Sequence, residues 1–194
     1  MKRNTLLSER TILLVSSLIL LQLSTTKAYA IAYCAIREPV AVIQEFFPTY
    51  TSFQTLEGLV DESMRQEVGE VLPESHFQEF GIHSLYVVYR GEALIGFVHA
   101  RTEKGLFGLD EIIWILAADM TLMEFKFQKN RSGAISQSVM QRLTTLLKGA
   151  DLMEVTKVLK TESELNQRDR VIISSAIKAL FVTKNLLLGV QNSL

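Results

Sequence analysis

The chain has 194 residues, 48% of them hydrophobic and 21% charged, with a formal net charge of −1. That balance is the one of a folded domain rather than a disordered chain, and the length fits one domain. A near-neutral charge argues against general nucleic-acid binding, which draws on a basic surface to neutralise phosphates.

Lys2, Arg3 and Arg10 surround the start of an apolar run, Thr11 to Leu23, and Ala28-Tyr29-Ala30 follows with a small-x-small pattern. The run is shorter than the ~20 residues that span a bilayer. Residues 1–30 are therefore expected to be a signal peptide cleaved after Ala30, with an uncleaved anchor as the alternative. Residues 31–194 would form the domain. Removing the leader takes away four basic residues (Lys2, Arg3, Arg10, Lys27) and one acidic residue (Glu9), leaving 16 basic and 20 acidic, a net charge of −4. Cys34 is the one cysteine, so an internal disulfide and a cage of several thiolates are both excluded. The bulky Tyr33 before it does not fit a lipoprotein signal. Cys34 is expected to be a buried apolar residue, with an intermolecular disulfide or a reactive thiol as the minority reading.

Further along, Pro39 suits the first turn of a helix that Pro48 ends, with Val40, Ile43, Phe46 and Phe47 at helical spacing. Thr51 to Val60 is ambiguous and reads as extended. A second helix opens at Asp61-Glu62 and stops at Pro73. The period then changes. Ile82 to Tyr89 and Ala93 to Ala100 read as strands joined by a turn at Arg90-Gly91-Glu92. Thr102 to Gly108 is expected to be a loop. Leu109 to Leu116 and Thr121 to Phe127 follow as strands. After the polar loop Gln128 to Gly133 come helices at Ser136 to Leu147 and Asp151 to Leu159, a linker at Thr161 to Gln167, and a final apolar helix from Arg168 to Leu188. The expected class is α+β: one domain with a central antiparallel β-meander of about four strands flanked by helices.

Signatures of nucleophilic hydrolases, zinc peptidases, P-loop nucleotide binders and dinucleotide binders are missing. The histidines are His76, His83 and His99. His83 and His99 fall on neighbouring strands and could approach each other. The reading preferred for them is two strand residues with satisfied ring nitrogens, not metal ligands. Asp110 and Glu111 are adjacent on a strand and point to opposite faces, so they form no catalytic carboxylate pair. No catalytic residue and no metal site is singled out. The loop K-G-L-F-G, with Gly105 and Gly108, would let backbone approach a ligand closely.

The order of these elements carries a resemblance. A strand pair turning at R-G-E-A-L-I-G, a glycine loop, and then I-I-W-I-L-A-A-D-M-T-L-M-E-F-K-F resembles the core of the FMN-binding domain of flavoprotein subunits in Rnf and Na+-translocating quinone reductase complexes. It covers roughly Ile82 to Leu180. Q-K-N-R-S-G stands where that family has a polar loop ending in glycine, here Gly133. R-D-R-V-I-I-S-S-A-I stands where the family carries FMN on a threonine through a phosphoester. Val171 takes the threonine's place and Asp169 that of a glycine, while Asn130 and Ser132 replace the acid and proline of the loop. The resemblance therefore implies a flavin held without a covalent link.

On that basis FMN would be held by Arg131, Ser132 and Gly133 of the polar loop, by Ser174 and Ser175 with N–H groups at a helix start, and by Gly105 and Gly108. Arg131 would pair with the phosphate or with charge on a reduced ring. Trp114, Phe107 or Tyr86 would stack on the isoalloxazine. Each of these has an ordinary reading beside it: helix serines, a surface arginine, a core tryptophan. The implied protein is an exported flavoprotein for electron transport, in the periplasm or on the outer face of the cytoplasmic membrane. Its partner would be a membrane redox complex or another envelope protein. The alternative is a non-catalytic binding or scaffolding module of a membrane-associated complex that has lost its flavin. Whether the protein is an enzyme is left open.

Overall fold

A computed structural model of the chain describes residues 36–60, 62–73, 82–105 and 107–191. The expected leader, Cys34 and His76 lie outside the described residues. The elements are α1 (Pro39–Phe46), β1 (Ser52–Leu59), α2 (Glu62–Val71), β2 (Ile82–Arg90), β3 (Ala93–Gly105), β4 (Gly108–Ala117), β5 (Leu122–Lys129), α3 (Gln137–Leu147), α4 (Leu152–Thr161) and α5 (Gln167–Gln191). The class is α+β, as the sequence implies.

The sheet has five strands in the order β1-β2-β3-β4-β5, and every neighbouring pair is antiparallel. The extra strand is β1, whose S-F-Q-T-L-E-G-L reads poorly on its own. It gains its ladder from β2, in register from Ser52 opposite Tyr89 to Leu59 opposite Ile82. The β2–β3 turn uses Gly91 at φ 61°, a left-handed conformation that favours glycine. The expected loop at Thr102 to Gly108 is corrected by the structure: β3 runs on to Gly105 and β4 starts at Gly108, its direct partner. Its two glycines made that segment read as a loop, whereas they pair with each other at the hairpin end and Glu103 points inward and is buried.

Alternation along the strands gives the sheet two apolar faces. Leu85, Val87, Phe97, Ile112, Trp114 and Phe125 face α5, whose Ile172, Ile173, Ala176, Ile177 and Leu180 close the larger core. Tyr86, Val88, Val98, Ala100, Ile113 and Ile115 face the other way, against Val42, Ile43 and Phe47 of α1 and its exit.

The helix starts have local causes. Pro39 occupies the first turn of α1. Ser136 caps α3 by accepting the Val139 N–H, and Asp151 with Glu154 forms a reciprocal capping box at α4. Before α5, the Asn166 side chain accepts the Asp169 N–H at 2.9 Å, and Asp169 Oδ2 accepts the Asn166 N–H at 3.2 Å. Buried Asp169 also receives the Arg142 guanidinium at 2.6 Å, tying α5 to α3.

Candidate functional site

Strand period two sets His99, Arg101, Glu103 and Gly105 in one row on the α5 side of β3. The row divides into a histidine pair, a charged cluster and a cavity wall.

His83 and His99 are fully buried, and their rings meet edge to face at 5.5 Å. His99 Nδ1 lies 3.3 Å from the Ala179 carbonyl, and Nε2 lies 3.4 Å from His83 Nδ1. A carbonyl only accepts, so Nδ1 of His99 carries the proton and Nε2 accepts from His83. Burial, helped by the positive charge of Arg101, lowers the His99 pKa to about 3 and keeps the ring neutral. The pair is a hydrogen-bonded core element, and no group of three or more metal-binding side chains occurs among the described residues.

Glu103 sits between two cations. Its carboxylate accepts from Arg101 Nε at 3.0 Å and from Lys178 Nζ of α5 at 2.8 Å, and all three side chains are buried. Burial by itself would raise the Glu103 pKa. The charges of Arg101 and Lys178 and the hydrogen bonds from them outweigh it, and the net shift is downward.

Beyond Glu103 the row ends at a cavity of about 240 Å³. Its walls are Lys104 and Gly105 of β3, Asp110 and Ile112 of β4, Ser132, and Gln167, Arg168, Val171 and Ile172 of α5. Asp110 organises the polar loop: its carboxylate accepts the Arg131 N–H at 2.6 Å, the Ser132 N–H at 3.0 Å and the Ser132 hydroxyl at 2.6 Å. Arg168 holds the loop's other side, donating to Asn130 Oδ1 at 2.7 Å, to the Gly133 carbonyl at 2.6 Å and to the Ala134 carbonyl at 3.3 Å. Glu111 points to the opposite face, where Arg37 and Gln128 bind it.

The side-chain space at Gly105 is already taken. A Cβ there would lie 1.8 Å from Ser132 Oγ and 2.5 Å from Asp110 Oδ2. Gly105→Ala should push Ser132 off Asp110 and cost about 1–3 kcal/mol. Urea unfolding checks the value. A neutral substitution would mean that the loop moves aside freely.

The residues expected to bind a flavin separate into two places. Gly105 and Ser132 line the cavity. Arg131 and Gly133 flank it on the same loop, and the Arg131 side chain packs where a Gly108 Cβ would point. Trp114, Ser174 and Ser175 lie deeper. Trp114 is wholly buried, its ring stacks on Phe125 at 5.1 Å, and its Nε1 donates to Ser175 Oγ at 3.0 Å. That ring has no face open to a ligand, and Ser175 serves as the acceptor for its indole N–H. Ser174 and Ser175 sit two turns into α5, past the free N–H groups of the first turn, so the helix-start phosphate contact expected of them does not form. Tyr86 is buried on the other face of the sheet, while Phe107 is 79% exposed at the hairpin tip.

Lys104, Asp110 and Arg168 were not legible as site residues. Asp110 was read only for its direction, and Arg168 only as a helix start. The available signal was the period-two row His99-x-Arg101-x-Glu103, whose inward charges mark a polar seam under a helix. Compared with known proteins, the chain matches no family model and no curated sequence.

Proposed function

We propose that the cavity takes the phosphate-bearing end of an FMN-type cofactor, held without a covalent link, and that the protein is an exported electron-transfer component of an envelope redox system. One observation carries this reading. Val171, which stands at the position of the flavin-bearing threonine in the family the sequence resembles, lines the same cavity as Gly105 and Ser132. Four separate chain segments of that resemblance thus converge on one space.

The donor set fits an anion. Arg168 lines the cavity and has no carboxylate within ion-pair distance among the described residues, and the start of α5 adds a favourable dipole. Valine forms no phosphoester, so the contact would rest on charge and hydrogen bonds. The cavity is smaller than the ~300–1,000 Å³ usual for cofactor pockets. It would hold the phosphate end, with the ring system outside it. A bound flavin would supply the electron transfer; the chain's own residues position it.

A second reading is favoured by the internal pairing of the site. Asp110 and Arg168 are each occupied by the loop, and Trp114 is committed to the core. These features suit a non-catalytic binding or scaffolding module of a membrane-associated complex.

The visible spectrum of the purified protein, followed by titration with FMN, separates the two. The flavin reading predicts a chromophore or saturable uptake. Arg168→Ala should then weaken FMN by about tenfold or more, the worth of a charge-assisted contact. A colourless protein indifferent to FMN would leave the scaffolding role.

A further inference from the structure

The β3–β4 hairpin ends in an apolar, cationic tip. Phe107 is 79% exposed and Leu109 is 48% exposed. Lys104 lies directly across the ladder from Leu109, and Arg131 packs over Gly108. Neither cation has a carboxylate partner among the described residues. The carboxylates nearest in sequence are turned away: Glu103 lies buried between Arg101 and Lys178, and Asp110 lies buried under the Ser132 loop. A chain of net charge −1 thus presents a locally positive end carrying two protruding apolar side chains.

We infer that this tip docks on an anionic lipid surface. Phe107 and Leu109 enter the boundary between headgroups and acyl chains, and Lys104 and Arg131 rest against the phosphates. The charge pattern selects this occupant. A neutral apolar partner would leave both cations without counter-charge, whereas a bilayer of anionic lipid offers apolar depth and negative surface together. A two-residue wedge on a narrow hairpin also suits insertion between headgroups better than burial against a broad protein face. The inference does not depend on flavin binding.

A full-length Phe107→Trp variant tests it. The chain's one native tryptophan, Trp114, is buried and stacked, so a new fluorescence response reports the tip. Position 107 is exposed, so the substitution leaves the core untouched. With phosphatidylcholine vesicles doped with phosphatidylglycerol, emission should shift to shorter wavelength, and brominated acyl chains should quench it. Pure phosphatidylcholine should give neither response. Adding Lys104→Glu and Arg131→Glu to that variant should lower apparent affinity by about tenfold or more, since each cation near such a surface contributes on that scale. No shift on anionic vesicles overturns the inference, even if the chain binds them through its N-terminal apolar run, and leaves the tip to a protein partner. An equal response on neutral vesicles, or one unchanged by charge reversal, overturns it as well.

Discussion

Glu103→Ala should destabilise the fold by about 3–5 kcal/mol, the usual cost of removing one partner from a buried ion pair. The carboxylate is 3% exposed and is the shared acceptor of Arg101 and Lys178, which are 1% and 5% exposed. Without it, both buried cations lose the carboxylate they share. Glu103→Gln keeps the shape and one acceptor oxygen but loses the charge, so it should fall between wild type and alanine. Urea unfolding at neutral pH gives both values. A loss below ~1 kcal/mol for the alanine variant, the range of exposed pairs, would show that water reaches the cluster.

The second large effect is acid sensitivity from His99. Its pKa is lowered to about 3 by burial and by the charge of Arg101, whereas an unfolded histidine titrates near 6.5. The native protein therefore stays neutral at this ring while the unfolded chain takes up a proton. Stability is fully present above pH ~6.5 and falls as pH decreases, by about 2 kcal/mol at pH 5 from this ring alone, until the folded value is reached. Glu103 acts in the same direction but lower. Its pKa is depressed in the native state, so its contribution is present above the ordinary glutamate pKa and is lost as pH falls below it. The interval between pH 6.5 and 5 thus isolates the histidine region. His99→Gln should flatten unfolding free energy against pH across that interval. An unchanged slope would place the acid response elsewhere. The groups around the ring are His83 on β2, Arg101 and Glu103 on β3, and Thr183 and the Ala179 carbonyl on α5.

The meander was legible because its strands carry their own period. Ile82–Arg90, Gly108–Ala117 and Leu122–Lys129 begin and end close to where alternation and turn residues place them. The helices around Pro39, Ser136 and Asp151 were legible through proline and capping residues, which act locally. β1 was ambiguous because its side chains are mostly exposed and its order comes from pairing with β2. The end of β3 was misread because its glycines were taken as loop markers, whereas Gly105 pairs with Gly108 and the ladder runs to the hairpin end. The site divides in the same way. Gly105 was singled out as part of a glycine-bearing loop and Ser132 only through the family resemblance, and both line the cavity. The tasks of Ser175 and Trp114 depend on a contact across 61 residues, which no local pattern reveals.

The dependence of the core on α5 has a consequence for synthesis. The sheet is built from neighbours in sequence, so each hairpin can form as soon as its second strand leaves the ribosome. The face bearing His99, Arg101 and Glu103 has no cover until Gln167–Gln191 follows, and Glu103 has no Lys178 until then. A nascent chain ending before α5 would carry a preformed but sticky half-core. It would be a natural client for a holding chaperone, and its completion would be sudden, with docking of the helix and arrival of Lys178 beside the Arg101–Glu103 pair occurring together.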